Sequence, residues 1–496
     1  MSSAHVEVES KYDVDEDAVL PALDDLEGVS TSTLPVEHEL EASYFDTADF
    51  ALAAARITLR RRTGGDDEGW HIKLPLEQGR QELHFPLGRA TRNVPKAVRS
   101  IVTGVVRDRP LDLVATLRTR RTVRGLLDQT GLRLAEVCDD RVTATRPSDD
   151  TAMSWREWEV ELVEGGRSVL KRVDRLLREH GAVTSASVSK LGRVLEGAVP
   201  VREARRAQHS SRAETLVADR LTELVDTLTG LDPLVRADLP HAVHSMRVSV
   251  RRLAGALATY RPLLDREVSE PLRLDLKWLA GVLGDARDAE VLLERLTDAL
   301  ADERSPLRNR VEHTVRADRR AAHLSAVQDM ESRRYLTLLD SLAELGAEPP
   351  WSPDRPARKA TNVLVARVDH EWKRVAGRMS LAESTTVEER AEALHDARRA
   401  AKRLRYAVEP MVPVFGKPAK KTLAAAHALH TVLGEHHDSI VAGQRLAELA
   451  ADLTPMDAFH LGLQSARQHD DADRAEVEVA RVWKQLKKRR PRRWGA

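Results

Sequence analysis

The stretch Glu7-x-Glu9-x-Lys11 sets two carboxylates and an ammonium at alternate positions of a segment, His5 to Val14, that otherwise reads as a β-strand. Successive strand side chains point to opposite faces, so a period of two puts all three charges on one side. A face carrying two acids and a base does not pack as an ordinary core. It suits a wall that grips a metal ion through its carboxylates and an anion through its lysine. The opening segment is thereby directed toward metal-assisted phosphate chemistry.

At 496 residues the chain is too long for one ordinary core, and it reads as multidomain. Residues 1–200 form the first predicted domain, an antiparallel β barrel with flanking helices (α+β). Its strand patterns run from His5 to Val14, Ile57 to Arg62, Trp70 to Leu74, Gln81 to Leu87, Leu117 to Leu127, Leu132 to Ala144 and Trp155 to Val163. Helical patterns lie near Asp15 to Leu26 and Val169 to Glu179. Pro200 and a polar stretch mark a linker over 201–212. Residues 213–483 change to long amphipathic helices and predict an all-α domain; 484–496 is a basic tail, expected to be frayed.

The helical half repeats itself. His244-x-x-Arg247-x-x-x-Arg251-Arg252-Leu253 recurs as His395-x-x-Arg398-x-x-x-Lys402-Arg403-Leu404, and Leu283-Gly284-x-x-x-Asp288 recurs as Leu433-Gly434-x-x-x-Asp438. Two related helical bundles are expected.

Charge along the chain is balanced overall, with 78 Lys+Arg against 78 Asp+Glu, so any charge argument is local. The single Cys138 excludes an intramolecular disulfide and a cysteine zinc cluster, which fits a reducing cytoplasm. No signal peptide and no bilayer-spanning apolar run is evident, so the expected location is cytoplasmic.

The predicted strands carry charge in phase. Glu157, Glu159 and Glu161 share one face, Arg60 and Arg62 another, and Arg118 and Arg120 another; Lys73, Lys190 and Arg193 add bases, and Glu136 and Asp140 share parity. If the strands close into a barrel, its inward face carries acids on some strands and bases on others. Unpaired charges there are costly, and a bound polyanion with divalent cations resolves the conflict.

These residues resemble the signature of the CYTH superfamily, the triphosphate tunnel metalloenzymes. Tyr44-Phe-Asp-Thr-Ala-Asp49, Leu59-Arg-Arg-Arg62, Trp70-His-Ile-Lys73, Arg80-Gln-Glu82, Arg118-Thr-Arg120, Glu159-Val-Glu161 and Ser189-Lys190 agree in order, over residues 5 to 197. The resemblance implies an eight-stranded tunnel that binds triphosphate and Mg²⁺ or Mn²⁺. It implies Glu7, Glu9, Glu159 and Glu161 as metal ligands, and Lys11, Arg60, Arg62, Lys73, Arg118, Arg120 and Lys190 as phosphate ligands. Glu7, Glu9, Lys11, Lys73 and Asp140 are the catalytic candidates, with Asp139 the alternative to Asp140 and Arg121 a rival to its neighbours.

On a helix, residues three, four and seven apart share a face, so His244, Arg247 and Arg251 line up, as do His395, Arg398 and Lys402. Lys277, Arg405 and His427 are further candidates, with His430, His436 and His437 near them. Neighbouring cations repel, and an anion bridging them removes that penalty. Few aromatics interleave, which argues against nucleic acid as partner. The segments resemble the CHAD domain over about 213 to 449, with His437 standing where Arg287 stands in the first repeat. That resemblance implies binding of inorganic polyphosphate and association with polyphosphate granules.

The sequence thus reads as a metal-dependent hydrolase of inorganic tripolyphosphate with a polyphosphate-binding half. A hydrolase or cyclase acting on ATP or thiamine triphosphate, and a non-catalytic polyphosphate scaffold, are the competing readings.

Overall fold

The computed structural model describes residues 3–24, 26–76, 79–88, 93–147, 151–187, 189–199, 212–300, 306–354, 360–451, 453–491 and 494; the side chains of 3–7, 151, 212, 213, 216, 306, 307, 360–363, 387, 388 and 414 lie outside the description. The chain divides into two compact units, Met1–Glu203 and Ala204–Ala496. The predicted linker lies, but for Arg212, outside the described residues.

The first unit is one antiparallel sheet. Its strands are β1 (Ser3–Glu7), β2 (Glu9–Val14), β3 (Thr31–Ser32), β4 (Val36–Asp46), β5 (Thr58–Thr63), β6 (Gly69–Pro75), β7 (Arg80–Phe85), β8 (Asp112–Leu127), β9 (Arg133–Arg146), β10 (Thr151–Leu162) and β11 (Val183–Thr184). They pair in the order β1-β7-β6-β5-β4-β8-β9-β10-β2-β11, with β3 on β8. Setting aside the two-residue β3 and β11, and counting β1 and β2 as one strand broken at Val8, leaves eight long strands. The first half of that broken strand pairs with β7 and the second half with β10. The sheet's path therefore leaves and returns to one run of chain.

Helices α1 (Ala51–Ala54), α2 (Lys96–Val106), α3 (Arg167–Glu179) and α4 (Lys190–Val194) flank the sheet. On one face Tyr12, Val137, Trp158 and Val160 bury against Val169, Val173 and Leu177 of α3. The other face is apolar at one end, where Ala42, Tyr44, Leu117 and Val142 pack on Leu191 and Val194 of α4. Asp46 fixes α1: its carboxylate accepts backbone N–H bonds from Leu52 at 2.8 Å and Ala53 at 2.9 Å. The helical pattern at Asp15 to Leu26 yields no helix among the described residues, and the alternating residues of β4 form a strand that the sequence pattern did not single out.

The second unit is all helical: α5 (Arg212–Arg236), α6 (Ala242–Tyr260), α7 (Arg266–Ala299), α8 (Pro306–Met330), α9 (Arg333–Ala347), α10 (Ala360–Ser384), α11 (Val387–Val408), α12 (Val412–Phe415), α13 (Lys417–Ala450) and α14 (Pro455–Lys487). Side-chain caps define several starts: Asp265 accepts from Glu267 N at 2.9 Å, and Ser332 from Tyr335 N at 3.3 Å. Leucine and alanine stripes of α5 to α7, α9 to α11, α13 and α14 merge into one core. The two repeats meet where a Cβ on Gly255 of α6 would stand 2.7 Å from Tyr406 Cβ of α11, an approach only glycine allows. The described residues of the basic C-terminal segment are packed. Helix α14 continues to Lys487, Arg490 Nε donates to Asp369 Oδ1 at 2.9 Å over the Trp372 ring, and the Trp494 side chain is buried. No described helix is long and apolar enough to cross a membrane.

Candidate functional site

Register carries one strand face around the whole sheet. Starting from Lys11, cross-strand partners run Lys11↔Glu159↔Cys138↔Val123, and on neighbouring rungs Glu9↔Glu161↔Glu136 and Asp13↔Glu157↔Asp140↔Arg121. Continuing, Arg121↔His38 on β4, Ala42↔Arg62 and Tyr44↔Arg60 on β5, then Arg60↔His71 and Thr58↔Lys73 on β6, then Lys73↔Glu82 on β7. Glu7 completes the circuit opposite Arg80, although its side chain lies outside the described residues. The period-two rule therefore assembles one charged interior from strands distant in sequence.

That same parity sets two predicted phosphate ligands on the face away from the charged interior. Arg118 and Arg120 stand on the opposite face, largely exposed, where they pair with Glu41 at 3.0 Å and Glu39 at 2.8 Å. The interior base of β8 is Arg121, one residue on. Asp140 is fully buried inside, whereas Asp139 points outward and is clamped by Arg156 at 2.9 and 2.7 Å.

The acidic wall is already dense with cations. Arg121 donates to Asp140 through Nε at 2.8 Å and Nη2 at 2.6 Å, and through Nη2 to Glu159 at 2.5 Å. Lys190, delivered by α4, lies 2.8 Å from Asp140, 2.6 Å from Glu157 and 2.7 Å from Glu159. Lys11 contacts Glu159 closely and Glu9 at 2.9 Å. Burial alone would raise the Glu159 carboxyl, yet Lys11, Lys190 and Arg121 hold it well below the usual carboxylate range. Asp140 is likewise lowered against its burial by Arg121 and Lys190. Glu161 behaves oppositely: burial, then Glu9 and Glu159, raise it, and among the described residues it has no ion pair.

Asp140, Glu157 and Glu159 offer oxygens within 4.8 Å of one another, a spacing that could hold a metal ion. Glu9 and Glu161 add a second carboxylate pair on adjacent strands. Cys138 also lies inside, and burial pushes its thiol up to about 12. Only carboxylate oxygen is therefore on offer as an anionic ligand, and such a set fits Mg²⁺ or Mn²⁺ rather than zinc.

The basic wall is crowded differently. Arg60 at 3.4 Å, His71 at 2.8 Å and Lys73 at 4.0 Å all converge on the Oε1 atom of Glu82. Arg62 contacts Asp67. Burial first, then Arg60 and Arg121, push the Arg62 guanidinium down to about 9. His71, which sequence reasoning passed over, is buried between Glu82 and the Asp67 carbonyl and held near 4 by burial. Its alternation with Lys73 was the signal available.

In the helical unit the repeats build matching contacts. Arg247 of α6 lies against Gly284 of α7 and donates to Asp288 at 2.9 Å. Arg398 of α11 lies against Gly434 of α13, 3.7 Å from Asp438. Arg251 feels both sets: burial, then Arg247 and, more weakly, Arg398, bring it down to about 10. His430 is pressed to about 3 by burial and by Arg405, Arg398, His427 and Arg251. His427 accepts from Arg405 Nη1 at 3.2 Å. His395 stacks on His437, with Nδ1 atoms 3.2 Å apart, at the position where the first repeat has His244 near Arg287. Among the described residues, Nε of Arg247, Arg398 and Arg405 and Nε2 of His430 are buried with no hydrogen-bond partner. Lys402 has no ion pair among the described residues. Lys277 lines a separate cavity of about 600 Å³ with Trp278, Asp285, Asp329 and Arg334.

Comparison with known proteins divides the chain in the same way. Residues 5–194 match the CYTH domain and residues 219–447 the CHAD domain. The chain is 34% identical to uncharacterized proteins of Mycobacterium tuberculosis strains CDC 1551 and H37Rv, over 98% of this chain and 97% of each of theirs. PptA from Streptomyces chartreusis aligns over 54% of this chain and 98% of its own, with 23% identity and a TM-score of 0.46. The CHAD domain from the plant Ricinus communis aligns over 55% and 90%, with 24% identity and a TM-score of 0.42.

Proposed function

We propose that this chain, which belongs to the family of proteins joining an N-terminal CYTH domain to a C-terminal CHAD domain, hydrolyses inorganic tripolyphosphate in its sheet and holds inorganic polyphosphate on its helices. The observation that carries the first part is the crowding of the basic wall. Arg60 and Lys73 converge on Glu82, and Arg62, buried beside them, contacts Asp67. Their mutual repulsion, visible in Arg62, is relieved by an anion carrying several charges.

In this reading Arg60, Arg62 and Lys73 bind the phosphate chain and neutralise charge on the pyrophosphate as it leaves. Lys11 pairs with Glu9 and Glu159 and orients both carboxylates. Glu9 and Glu161, with Glu7 and Glu159, would hold Mg²⁺ or Mn²⁺, which would polarise the scissile phosphate. Asp140 and Glu159 stay ionised beside Arg121, so they accept hydrogen bonds from the attacking water and place it in line. Water oxygen bonds to the terminal phosphorus, the anhydride P–O bond breaks, and pyrophosphate and phosphate leave.

For the helical unit, the buried and unpartnered guanidinium nitrogens of Arg247, Arg398 and Arg405 support an anion site. A polyphosphate chain satisfies such donors without base contacts. Arg251, Lys402 and His244 border the same face in sequence register. Location on polyphosphate granules in the cytoplasm is the corresponding proposal.

The test is phosphate release from tripolyphosphate, ATP and thiamine triphosphate, each with Mg²⁺, with Mn²⁺ and with chelator. Metal-dependent turnover of tripolyphosphate above the organic substrates is the expected result. Preference for ATP or thiamine triphosphate moves the assignment to an organic triphosphate, and no turnover beside tight polyphosphate binding reduces the chain to a scaffold.

A further inference from the structure

We infer that His71 and Glu82 hold one proton between them, so that the charge of the Glu82 carboxyl is cancelled by that proton and Arg60 and Lys73 are left to the phosphate chain. His71 is thereby a positioning residue that acts through Glu82, a role that rests on the triphosphate reading above.

A neutral imidazole has one N–H donor and one lone-pair acceptor. Both His71 nitrogens meet oxygen: Nδ1 lies 2.8 Å from Glu82 Oε1, and Nε2 lies 2.9 Å from the Asp67 carbonyl. A peptide carbonyl only accepts, and so does an ionised carboxylate. Whichever nitrogen carries the ring hydrogen, the other then faces its oxygen lone pair to lone pair. One further proton removes the conflict, and it belongs to the pair rather than to either residue. Solvent does not relieve the contact, because His71 is 2% exposed and Glu82 4%. A hydrogen bond left unmade at that depth is costly.

The ring is held against both oxygens. Asp67 lies in the turn between β5 and β6, where its carboxylate contacts Arg62. The next carbonyl, that of Glu68, accepts from His84 Nε2 at 3.1 Å. The His84 ring packs on that of His71 with centroids 4.9 Å apart, and a Cβ on Gly69 would collide with it. The charged groups around the pair are thus Arg60 and Arg62 of β5, Lys73 of β6, His84 of β7 and Asp67. His5 of β1 stands opposite Glu82 in register, its side chain outside the described residues. An ionised Glu82 beside a neutral His71 would compete with phosphate oxygens for Arg60 and Lys73. With the shared proton the wall faces a polyanion one positive charge richer. By linkage, a bound polyanion in turn holds that proton more tightly.

The experiment measures KM and kcat for tripolyphosphate with Mg²⁺ at pH 7, using the full chain as wild type, as His71→Phe and as His71→Phe with Glu82→Gln. His71→Phe is expected to raise KM about tenfold, because Glu82 then ionises onto Arg60 and Lys73, with the larger part of the loss in KM rather than kcat. Adding Glu82→Gln removes that charge and is expected to bring KM back to within about threefold of wild type. An unchanged KM in His71→Phe, or a double variant as weak as the single one, overturns the inference. A merely structural histidine is not rescued by a change at Glu82. Where His71→Phe is too unstable for kinetics, the rise in melting temperature brought by tripolyphosphate and Mg²⁺ takes its place. That rise is expected to be smaller in His71→Phe and restored in the double variant, and equal rises in all three chains overturn the inference as well. Binding that follows this pattern without phosphate release by wild type refutes the assigned reaction alone.

Discussion

The two units use the same cationic residues on opposite terms. In the sheet, strand parity places acids and bases from different strands in one interior, and each cation near the acidic wall meets carboxylates at hydrogen-bond range. In the helical unit, helical periodicity lines cations along one face, and Arg247 and Arg398 lie against glycines with one aspartate each. The sheet is organised to keep charge fixed; the helices are organised to leave donor capacity open. A reacting centre needs the first, because misplaced charge costs rate. A surface for a long flexible anion needs only the second.

The contrast is most sharply broken at Arg121. Arg121→Ala leaves Asp140 and Glu159 buried without that guanidinium, and the expected loss is about 3–5 kcal/mol of stability. Arg120→Ala, one residue away on the exposed face, is expected to leave stability close to that of wild type. Chemical denaturation of both variants checks it. Equal losses would mean that the charged interior is not set by strand parity.

Glu9→Gln is next in size. It removes a carboxylate from the proposed metal site, and metal-dependent phosphate release is expected to fall about 10²-fold or more. Binding of long-chain polyphosphate by the same full-length variant is expected to be unchanged. Loss of both would dissolve the division of labour between the units.

Much of this division was legible in the chain. Glu9, Lys11, Glu159 and Glu161 fall on one face because alternation is local information, and the same rule put Arg60, Arg62 and Lys73 in phase with them. Arg118 and Arg120 obeyed the rule too, but on the outward face; within one strand, parity does not say which face is inside. Only the pairing of Arg121 with Asp140 and His38 decides that, and it joins strands far apart in sequence. In the helices, the repeat announced Arg247 and Arg398, while the stacking of His395 on His437 depended on how α11 packs against α13.

Reversing the helical cations probes the other side of the comparison. Arg247→Glu with Arg398→Glu is expected to weaken long-chain polyphosphate binding about 10–100-fold and to flatten its dependence on salt, since fewer counterions are released. Tripolyphosphate turnover is expected to stay at the wild-type level. Undiminished binding at moderate salt would remove the repeated arginines from the anion site.

The smallest expected effect separates the units by acid. His430 and His437 are pushed down to about 3 and about 4 by burial and by the neighbouring arginines and histidines, so both are neutral in the folded helices. The unfolded chain takes up protons near pH 6.5, so between about pH 6.5 and 4 it binds more protons than the folded one and stability falls as pH drops. At pH 5 His430 costs about 1–2 kcal/mol by this linkage, and the more exposed His437 less, because solvent screens it. The lowered carboxylates of the sheet, Asp140 and Glu159, act in the same direction but only below the unfolded carboxylate range, about pH 4. In the window from pH 6.5 to 5 the sheet has His71, held near 4, as its one strongly lowered histidine among the described residues. Calorimetry at pH 7.5 and pH 5 is therefore expected to show the helical transition moving down further than that of the sheet. Polyphosphate favours the charged histidines and is expected to restore more of that loss at pH 5 than it adds at pH 7.5. A helical transition that holds its temperature while the sheet melts earlier would place the acid-sensitive charges in the wrong unit.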